Sequence, residues 1–430
     1  MTQPLNIAVA GLGTVGAGTL KLLQERGDLL ERRCGRRIVV VAVSARDRGR
    51  DRGVDLTACK WYDDAVAMAA DPQAEVVVEL IGGSDGIAKA VCEAAIANAK
   101  HVVTANKALL AHHGTALALA AEAKNVTLGY EAAVAGGIPI IKALREGLAA
   151  DGLNRIYGIL NGTCNYILTT MRETGREFDD VLADTQKLGY AEDDPGFDVD
   201  GIDAAHKLAI LTSVAFGCEV NFEGVHIEGI GRISALDIRF ADELGYRIKL
   251  LGTGRLTEFG VEQRVHPCLV PLGAPIAHVE GVFNAVVAEG DFADTTVFEG
   301  RGAGAGPTAS AVVADLVDIA RDRRVPTFAV PAAALEKLAV SPMERHRGSY
   351  YIRLMVVDKP GVIADVTAAF RDERISLESM LQRGRAPGGT VPVVLVTHET
   401  EEAAMCRALE KIAMLDTVLE PPRMIRIEAL

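Results

Sequence analysis

The sequence predicts a mixed α/β protein in three parts: a doubly wound parallel sheet, an α+β domain, and a C-terminal βαββαβ unit. Three observations carry this. Over residues 1–145, short continuous β-branched runs alternate with amphipathic helical segments, the pattern of parallel strands covered on both faces. Over residues 146–305, helical segments mix with half-polar strands. Residues 350–430 read strand, helix, strand, strand, helix, strand.

The elements follow in order. "LNIAVAGLG" is an apolar run ending in Gly, and "TVGAGTLKLLQERG" continues with helical spacing. "RRIVVVAVSAR", "AEVVVELIGG" and "HVVTANK" read as strands, with "DAVAMAA", "IAKAVCEAAIANA" and "ALALAAEAK" as the helices between and after them. In the second part, helices are expected near 179–188, 201–217 and 233–245, with strands at "RIKLLGTGRL", "VEQRVHPCLV" and "FNAVVAEG". "GPTASAVVADLVDIARD" is a helix preceded by "GRGAGAG"; it is expected to pack back on the first domain, which residues 306–340 would complete. "PMERHRGS" (342–349) reads as a linker, which makes the last unit separable from the rest.

Composition narrows the function classes. A chain of 430 residues, 49% hydrophobic and 24% charged, is that of an ordinary globular protein. The net charge of −13 argues against nucleic acid or an anionic membrane as main partner, an arginine island from Arg26 to Arg52 excepted. The seven cysteines (Cys34, Cys59, Cys92, Cys164, Cys218, Cys268, Cys406) are odd in number and contain no Cys-x-x-Cys pair, which fits a reduced compartment. Only Cys164, in "NGTCNY", has a loop-like polar setting. The first strand begins almost at once and no apolar run is long enough to span a bilayer, so a cytoplasmic protein without a membrane partner is expected.

"GLGTVG" places Gly11, Gly13 and Gly16 between a strand and a helix, with Thr14 and Val15 opening that helix. Glycine permits the tight turn, the approach of a pyrophosphate, and close helix–strand packing, while the helix N terminus offers N–H groups to phosphate. At the end of the second strand, Ser44 and Ala45 stand where an acidic residue would meet the ribose hydroxyls of NAD, and Arg46 follows. That favours NADP, with Arg46 and Arg48 as partners of its 2′-phosphate; Asp47 argues the other way, and a solvated arginine face is the plain alternative. "TANK" sets Lys107 at the carboxyl end of a sheet strand, where open α/β sheets bind ligands, although strand-end lysines are common on surfaces. "GYEAAVAGGIPII" can turn several carbonyls toward one cation, or be a tight strand-to-helix turn.

"GYAEDDPGFDVDGIDAAHKLAIL" raises a sharper question. Asp203 and Lys207 are one helical turn apart, but Lys207 shares its face with Ala204, Ile210 and Leu211. An exposed pair of this spacing contributes about 0.3–0.5 kcal/mol and is the common explanation. A half-buried lysine beside a carboxylate can instead serve as a general acid. Upstream, Glu192, Asp193 and Asp194 lie in a Gly/Pro-punctuated loop suited to a substrate ammonium.

Taken together, "AGLGTVG", "TANK", "YEAAVAGGIP", "LNGTCNYILTTM", the long motif above, "GRGAGAGPTASAVVAD" and "DKPGV" resemble homoserine dehydrogenases over essentially the whole chain. The resemblance is to the monofunctional type with a C-terminal ACT domain. It implies a Rossmann-like NAD(P)-binding domain, a catalytic and dimerisation domain, and reversible NAD(P)H-dependent reduction of L-aspartate 4-semialdehyde to L-homoserine by a homodimer or homotetramer. It also assigns residues. Lys207 corresponds to the proton donor, Lys107 to the strand-end lysine near nicotinamide and substrate, and Glu192 and Asp203 to the substrate carboxylates. Glu131, Val134, Gly136 and Ile138 correspond to a backbone site for a monovalent cation, Na+. Gly189 and the "GRGAGAG" loop, at Gly304 or its neighbours, join the cofactor contacts. L-Threonine is expected as an effector at the turn of Asp358, Gly361 and Val362, with a ligand-free dimerisation module as the alternative. Two other classes stay open: a phosphorylating aspartate-semialdehyde dehydrogenase using Cys164 as nucleophile, and a non-catalytic sensor that would lack the Asp203–Lys207 pair.

Overall fold

In the computed structural model, which describes residues 3–190, 194–384 and 386–430, the first part forms six parallel strands, the four expected and two short ones at residues 60–62 and 128–129. These are β1 (Leu5–Ala10), β2 (Ile38–Ser44), β3 (Lys60–Tyr62), β4 (Val76–Glu79), β5 (His101–Thr104) and β6 (Leu128–Gly129), in the spatial order β3-β2-β1-β4-β5-β6. The chain leaves β1 in one direction and returns beside it at β4, so a crevice opens at the carboxyl ends of these two strands. Helices α1 (Thr14–Cys34), α2 (Ala65–Ala69), α3 (Ile87–Ala97) and α4 (Lys107–Ala123) cover the sheet. The alternation of β1 decides the faces. Ile7 and Val9 pack with Leu20 and Leu23 of α1 and with Val312 and Leu316 of a later helix, Ala305–Ala320. Ala8 and Ala10 turn toward Val91 of α3 and Leu109 of α4. Both faces are buried, so the strands read as unbroken apolar runs.

After a short turn of helix, α5 (Ile140–Lys142), come β7 (Leu153–Ile159), α6 (Gly162–Thr174), α7 (Phe178–Lys187), α8 (Gly196–Val199) and α9 (Ile202–Phe216). Then follow β8 (Val225–Ile227), α10 (Ala235–Glu243), β9 (Tyr246–Thr257), β10 (Gly260–Pro271), β11 (Phe283–Gly290), β12 (Thr295–Arg301) and α11 (Ala305–Ala320). Every residue of α9 from Asp203 to Val214 is buried, Asp203, His206 and Lys207 included, so this helix runs through the core. The final unit is β13 (Arg347–Val357), α12 (Val362–Asp372), β14 (Leu377–Gln382), β15 (Thr390–Thr397), β16 (Thr400–Glu401), α13 (Glu402–Ala413) and β17 (Arg423–Ile427).

Three expectations are corrected. Cys164 sits in the first turn of α6, completely buried, rather than in a loop. Lys107 opens α4, because its strand ends at Thr104 and Asn106 caps the helix by accepting from Leu109 N at 3.1 Å. The segment read as a linker is packed: buried His346 lies 3.3 Å from Glu262 Oε2, and Ser341 N donates to Val261 O at 2.9 Å. The last unit has its own apolar core, but its sheet is continuous with that of the middle part. β17 pairs in parallel with β10 (Cys268 opposite Arg426, Leu269 opposite Ile427), giving an 11-stranded sheet. Among the described residues no helix is long and apolar enough to cross a membrane.

Candidate active site

The end of β7 and the start of α9 meet at one cluster. Lys207 Nζ donates to Asp203 Oδ2 at 2.7 Å and to the carbonyl of Leu160 at 2.8 Å. Lys107 Nζ lies 2.9 Å from the other oxygen, Asp203 Oδ1. Asn161 holds this arrangement from beneath. Its side-chain oxygen caps α6 by accepting from Cys164 N, while its amide donates to Asp203 Oδ2 and Asp198 Oδ1, each at 2.8 Å. The "LNG" of the α6 motif therefore supplies a carbonyl and a bifunctional amide, and glycine follows where a Cβ would sit 2.8 Å from Val282 O.

Burial alone would push the Asp203 carboxyl up, but the ammoniums of Lys207 and Lys107 outweigh it and hold the group well below the usual carboxylate range. Burial, then the charge of Asp203, pushes Asp198 up against the Asn161 hydrogen bond. Lys107 also lies 5.4 Å from the centre of the Phe197 ring, a cation–π distance. Burial, then the charge of Asp198, pushes the Cys164 thiol up, and it donates to the Asp198 carbonyl at 3.2 Å. A buried neutral thiol engaged in this way is no nucleophile.

The glycine turn is fitted to a dinucleotide. Gly11 has φ +96°, and a Cβ there would lie 2.4 Å from Leu80 O; one on Gly16 would lie 2.1 Å from Gly11 O. A Cβ on Gly13 would meet nothing within 4 Å, so this backbone faces open space. No side chain caps α1, which leaves the N–H groups from Thr14 and Val15 onward for phosphate. Beside the turn lies a cleft of about 610 Å³ whose lining includes Gly11, Gly13, Ser44, Arg46, Arg50 and Arg52. Asp47 also lines this cleft, and its Oδ1 accepts from Gly49 N at 2.9 Å. Arg48 and Arg52 both lie 5.7 Å from the centre of the Trp61 ring; Arg48 does not line the cleft, whereas Arg52 does and donates to the carbonyl of Leu12 at 3.2 Å. Gly304 (φ +118°) caps α11, and Ala305 O would lie 3.0 Å from a Cβ on Gly18 of α1. Gly189 (φ +74°) follows the C-cap of α7, and after Tyr190 come residues outside the description, Glu192 and Asp193 among them.

The segment of Glu131, Val134, Gly136 and Ile138 is buried against the "GRGAGAG" loop, with Gly137 N donating to Arg301 O at 2.8 Å. The Glu131 carboxylate accepts from Ile141 N and Lys142 N at 2.9 and 3.0 Å, capping α5. Among the described residues the buried carbonyls of Val134 and Gly136 accept no hydrogen bond, whereas that of Ile138 accepts from Ile140 N at 2.7 Å. Orphaned buried carbonyls are the donor set a hard monovalent cation takes. In the C-terminal unit, Gly361 (φ +98°) caps α12, Val362 is buried, and Asp358 Oδ2 accepts from Ala386 N at 2.7 Å, so this carboxylate closes a turn. A buried group of His266, Cys268 and Glu428 has metal-like spacing, but Arg264 and Arg155 already bind Glu428 and supply the charge a metal would bring.

The sequence reading missed Asn161, Asp198 and the Leu160 carbonyl, which adjoin the motifs but are legible only when α6 and α9 meet. It missed Glu79 as well. This buried carboxylate accepts from Ile81 N, Gly82 N and the Thr104 hydroxyl, and so fixes the strand ends below Lys107.

The chain is similar to known proteins over its whole length. Residues 11–131 match the family described as homoserine dehydrogenase, NAD binding domain; residues 139–317 match homoserine dehydrogenase and residues 350–413 an ACT domain. A homoserine dehydrogenase of Pseudomonas aeruginosa is 47% identical over 435 residues, covering 100% of both chains. The crystal structure of a homoserine dehydrogenase from Thiobacillus denitrificans superposes with a TM-score of 0.94 at 47% identity, covering 99% of this chain and 98% of that one. A hyperthermophilic archaeal homoserine dehydrogenase in complex with NADPH superposes with a TM-score of 0.65 at 25% identity, covering 76% of this chain and 100% of the other.

Proposed function

The chain belongs to the homoserine dehydrogenase family, and we propose that Lys207, Lys107 and Asp203 form the centre at which its reaction occurs. The reaction is the reversible NAD(P)H-dependent reduction of L-aspartate 4-semialdehyde to L-homoserine, a step of amino-acid biosynthesis. The nicotinamide, when bound, supplies the hydride to the aldehyde carbon and takes it back from homoserine in the reverse direction.

The chain's residues handle the oxygen. An ammonium has three N–H donors, and Lys207 commits two, to Leu160 O and Asp203. The third is left for the substrate oxygen, on which negative charge grows as hydride arrives. Lys207 stabilises that charge and gives up a proton, so the alkoxide becomes the alcohol. At that moment Asp203 would lose a counter-charge, and Lys107 at 2.9 Å keeps it compensated. Glu192 and Asp203 hold the substrate's ammonium or hydroxyl end and fix its orientation. The observation that carries this reading is the contact of two lysines with one buried carboxylate beside the cofactor crevice.

Arg46 is assigned to the 2′-phosphate of NADP, with Arg52 beside it, and NAD as the weaker cofactor. A Na+ ion is assigned to the carbonyls of Glu131, Val134, Gly136 and Ile138. L-Threonine is assigned to the Asp358–Gly361–Val362 turn as an inhibitor, effective only if it favours the less active state. The purified chain, assayed for NADPH and NADH oxidation by aspartate semialdehyde with and without threonine, tests the activity, the cofactor preference and the effector together. No oxidation of either cofactor would overturn the reading.

A further inference from the structure

The Lys107 ammonium sits between a carboxylate and an aromatic face: Nζ is 2.9 Å from Asp203 Oδ1 and 5.4 Å from the centre of the Phe197 ring. One side chain ties both neighbours together. Phe197 precedes Asp198 on α8, and the Asn161 amide donates to Asp198 Oδ1 and to Asp203 Oδ2, each at 2.8 Å. The backbone of α8 is held as well, with Cys164 Sγ donating to Asp198 O at 3.2 Å and Ile230 N to Val199 O at 2.9 Å. The ring is thereby fixed in place relative to the carboxylate.

Phe197 in turn packs on a cluster of rings. The His206 ring of α9 lies 5.6 Å from that of Phe197, 4.4 Å from Phe222 and 5.4 Å from His112 of α4. His112 and Phe222 are 4.9 Å apart at 64°. Lys107 opens α4, and α9 carries Asp203 and Lys207, so the cluster joins the elements that bring the two lysines together. His206 is buried, and its Nδ1 has no hydrogen-bond partner among the described residues. Burial, then the charge of His112, brings its imidazole down to about 4 from 6.5, and Lys107 and Lys207 act in the same direction against the pull of Asp203. His206 is therefore neutral at physiological pH and contributes a ring, not a charge.

We propose that Phe197 is a positioning residue of the reaction: the face of its ring, packed on His206, holds the Lys107 ammonium at Asp203 while Lys207 delivers its proton. This deepens the catalytic reading given above and rests on it. A lysine stem is long and flexible, and that of Lys107 is 33% exposed, so water competes for its ammonium. A ring face attracts the cation without taking up an acceptor, which leaves Asp203 as the hydrogen-bonding partner on that side.

Single-turnover reduction of aspartate semialdehyde with NADPH in the full chain tests this. Phe197→Ala and Phe197→Leu should each slow the step by about 2- to 30-fold, the span of a cation–π contact, with little change in KM or in melting temperature. Phe197→Tyr, which keeps the ring face, should restore the rate. His206→Phe keeps a ring behind it and should turn over near the parent rate. Phe197 is 42% exposed, so its variants remain decisive if the buried His206→Phe does not fold. In a Lys107→Ala background, Phe197→Ala should have no further effect, because it acts through that ammonium. A parent rate in Phe197→Leu, a raised KM at unchanged rate, or a Phe197→Ala loss that persists in Lys107→Ala would overturn the proposal and leave the role of Lys107 standing. A Lys107→Ala enzyme at the parent rate would instead overturn the catalytic reading, and the proposal with it.

Discussion

Lys207 Nζ lies 2.7 Å from Asp203 Oδ2, one helical turn earlier on α9, and their side chains are only 10% and 5% exposed. The spacing is that of an ordinary surface pair, but the burial changes what it means. A surface pair of this kind is worth a few tenths of a kcal/mol. A buried pair is costly to break, because one charge is then left without its counter-charge.

Asp203→Asn is nearly isosteric and leaves Lys107 and Lys207 facing a neutral amide. It should cost about 3 kcal/mol or more of stability by denaturant titration and lower kcat by at least about 10². An unchanged midpoint with normal turnover would mean that neither lysine depends on this carboxylate.

Arg46→Ala should weaken NADPH by about 1.5–3 kcal/mol, as for a charge-assisted contact to phosphate, and leave NADH almost untouched. Fluorescence titration of both cofactors measures this. Equal effects on the two would make the arginine island a solvated face.

Sodium should stabilise the protein relative to choline at equal ionic strength, raising Tm in step with the logarithm of its concentration and contributing about 2.7 kcal/mol at a hundredfold excess over Kd. Identical melting in the two salts would remove the cation from the Val134–Gly136 carbonyls.

The junction of β10 with the C-terminal unit should govern acid stability. Burial raises the Glu262 carboxyl, but His346 and then Arg264 overcome this and bring it down to about 2 from 4.5. A depressed carboxylate contributes stability that is present above its unfolded value and lost as pH falls through its folded value. Here that window runs from about 4.5 down to about 2, and the contribution is at most about 3 kcal/mol. Glu262→Gln should therefore flatten the acid limb of the stability profile in that window. Truncation after Arg345, which the sequence suggested would be harmless, should unfold the remainder, because it strips β17 from β10 and leaves Arg264 without Glu428.

Four strands of the parallel sheet were legible because both of its faces are covered, so each is an apolar run; β3, "KWY", and the two-residue β6 offer no such run. The Asp203–Lys207 pair was legible because a charge on an apolar helix face violates the pattern around it. Asn161 and Asp198 were not, since a polar residue after a strand is ordinary until another helix arrives to use it. The fusion of β17 to β10 was hidden for a similar reason: two residue pairs make the joint, and nothing in "RMIRI" distinguishes its partner strand. His346 looked like linker because the acid that buries it is 84 residues away.

The central claim, that Lys207 delivers the proton, is tested most directly by single-turnover reduction of aspartate semialdehyde with NADPH in Lys207→Ala. The account predicts a fall in the rate of the chemical step by roughly 10²–10⁴, with NADPH affinity nearly unchanged. A Lys207→Ala enzyme that binds NADPH normally and turns over at close to the parent rate would contradict it.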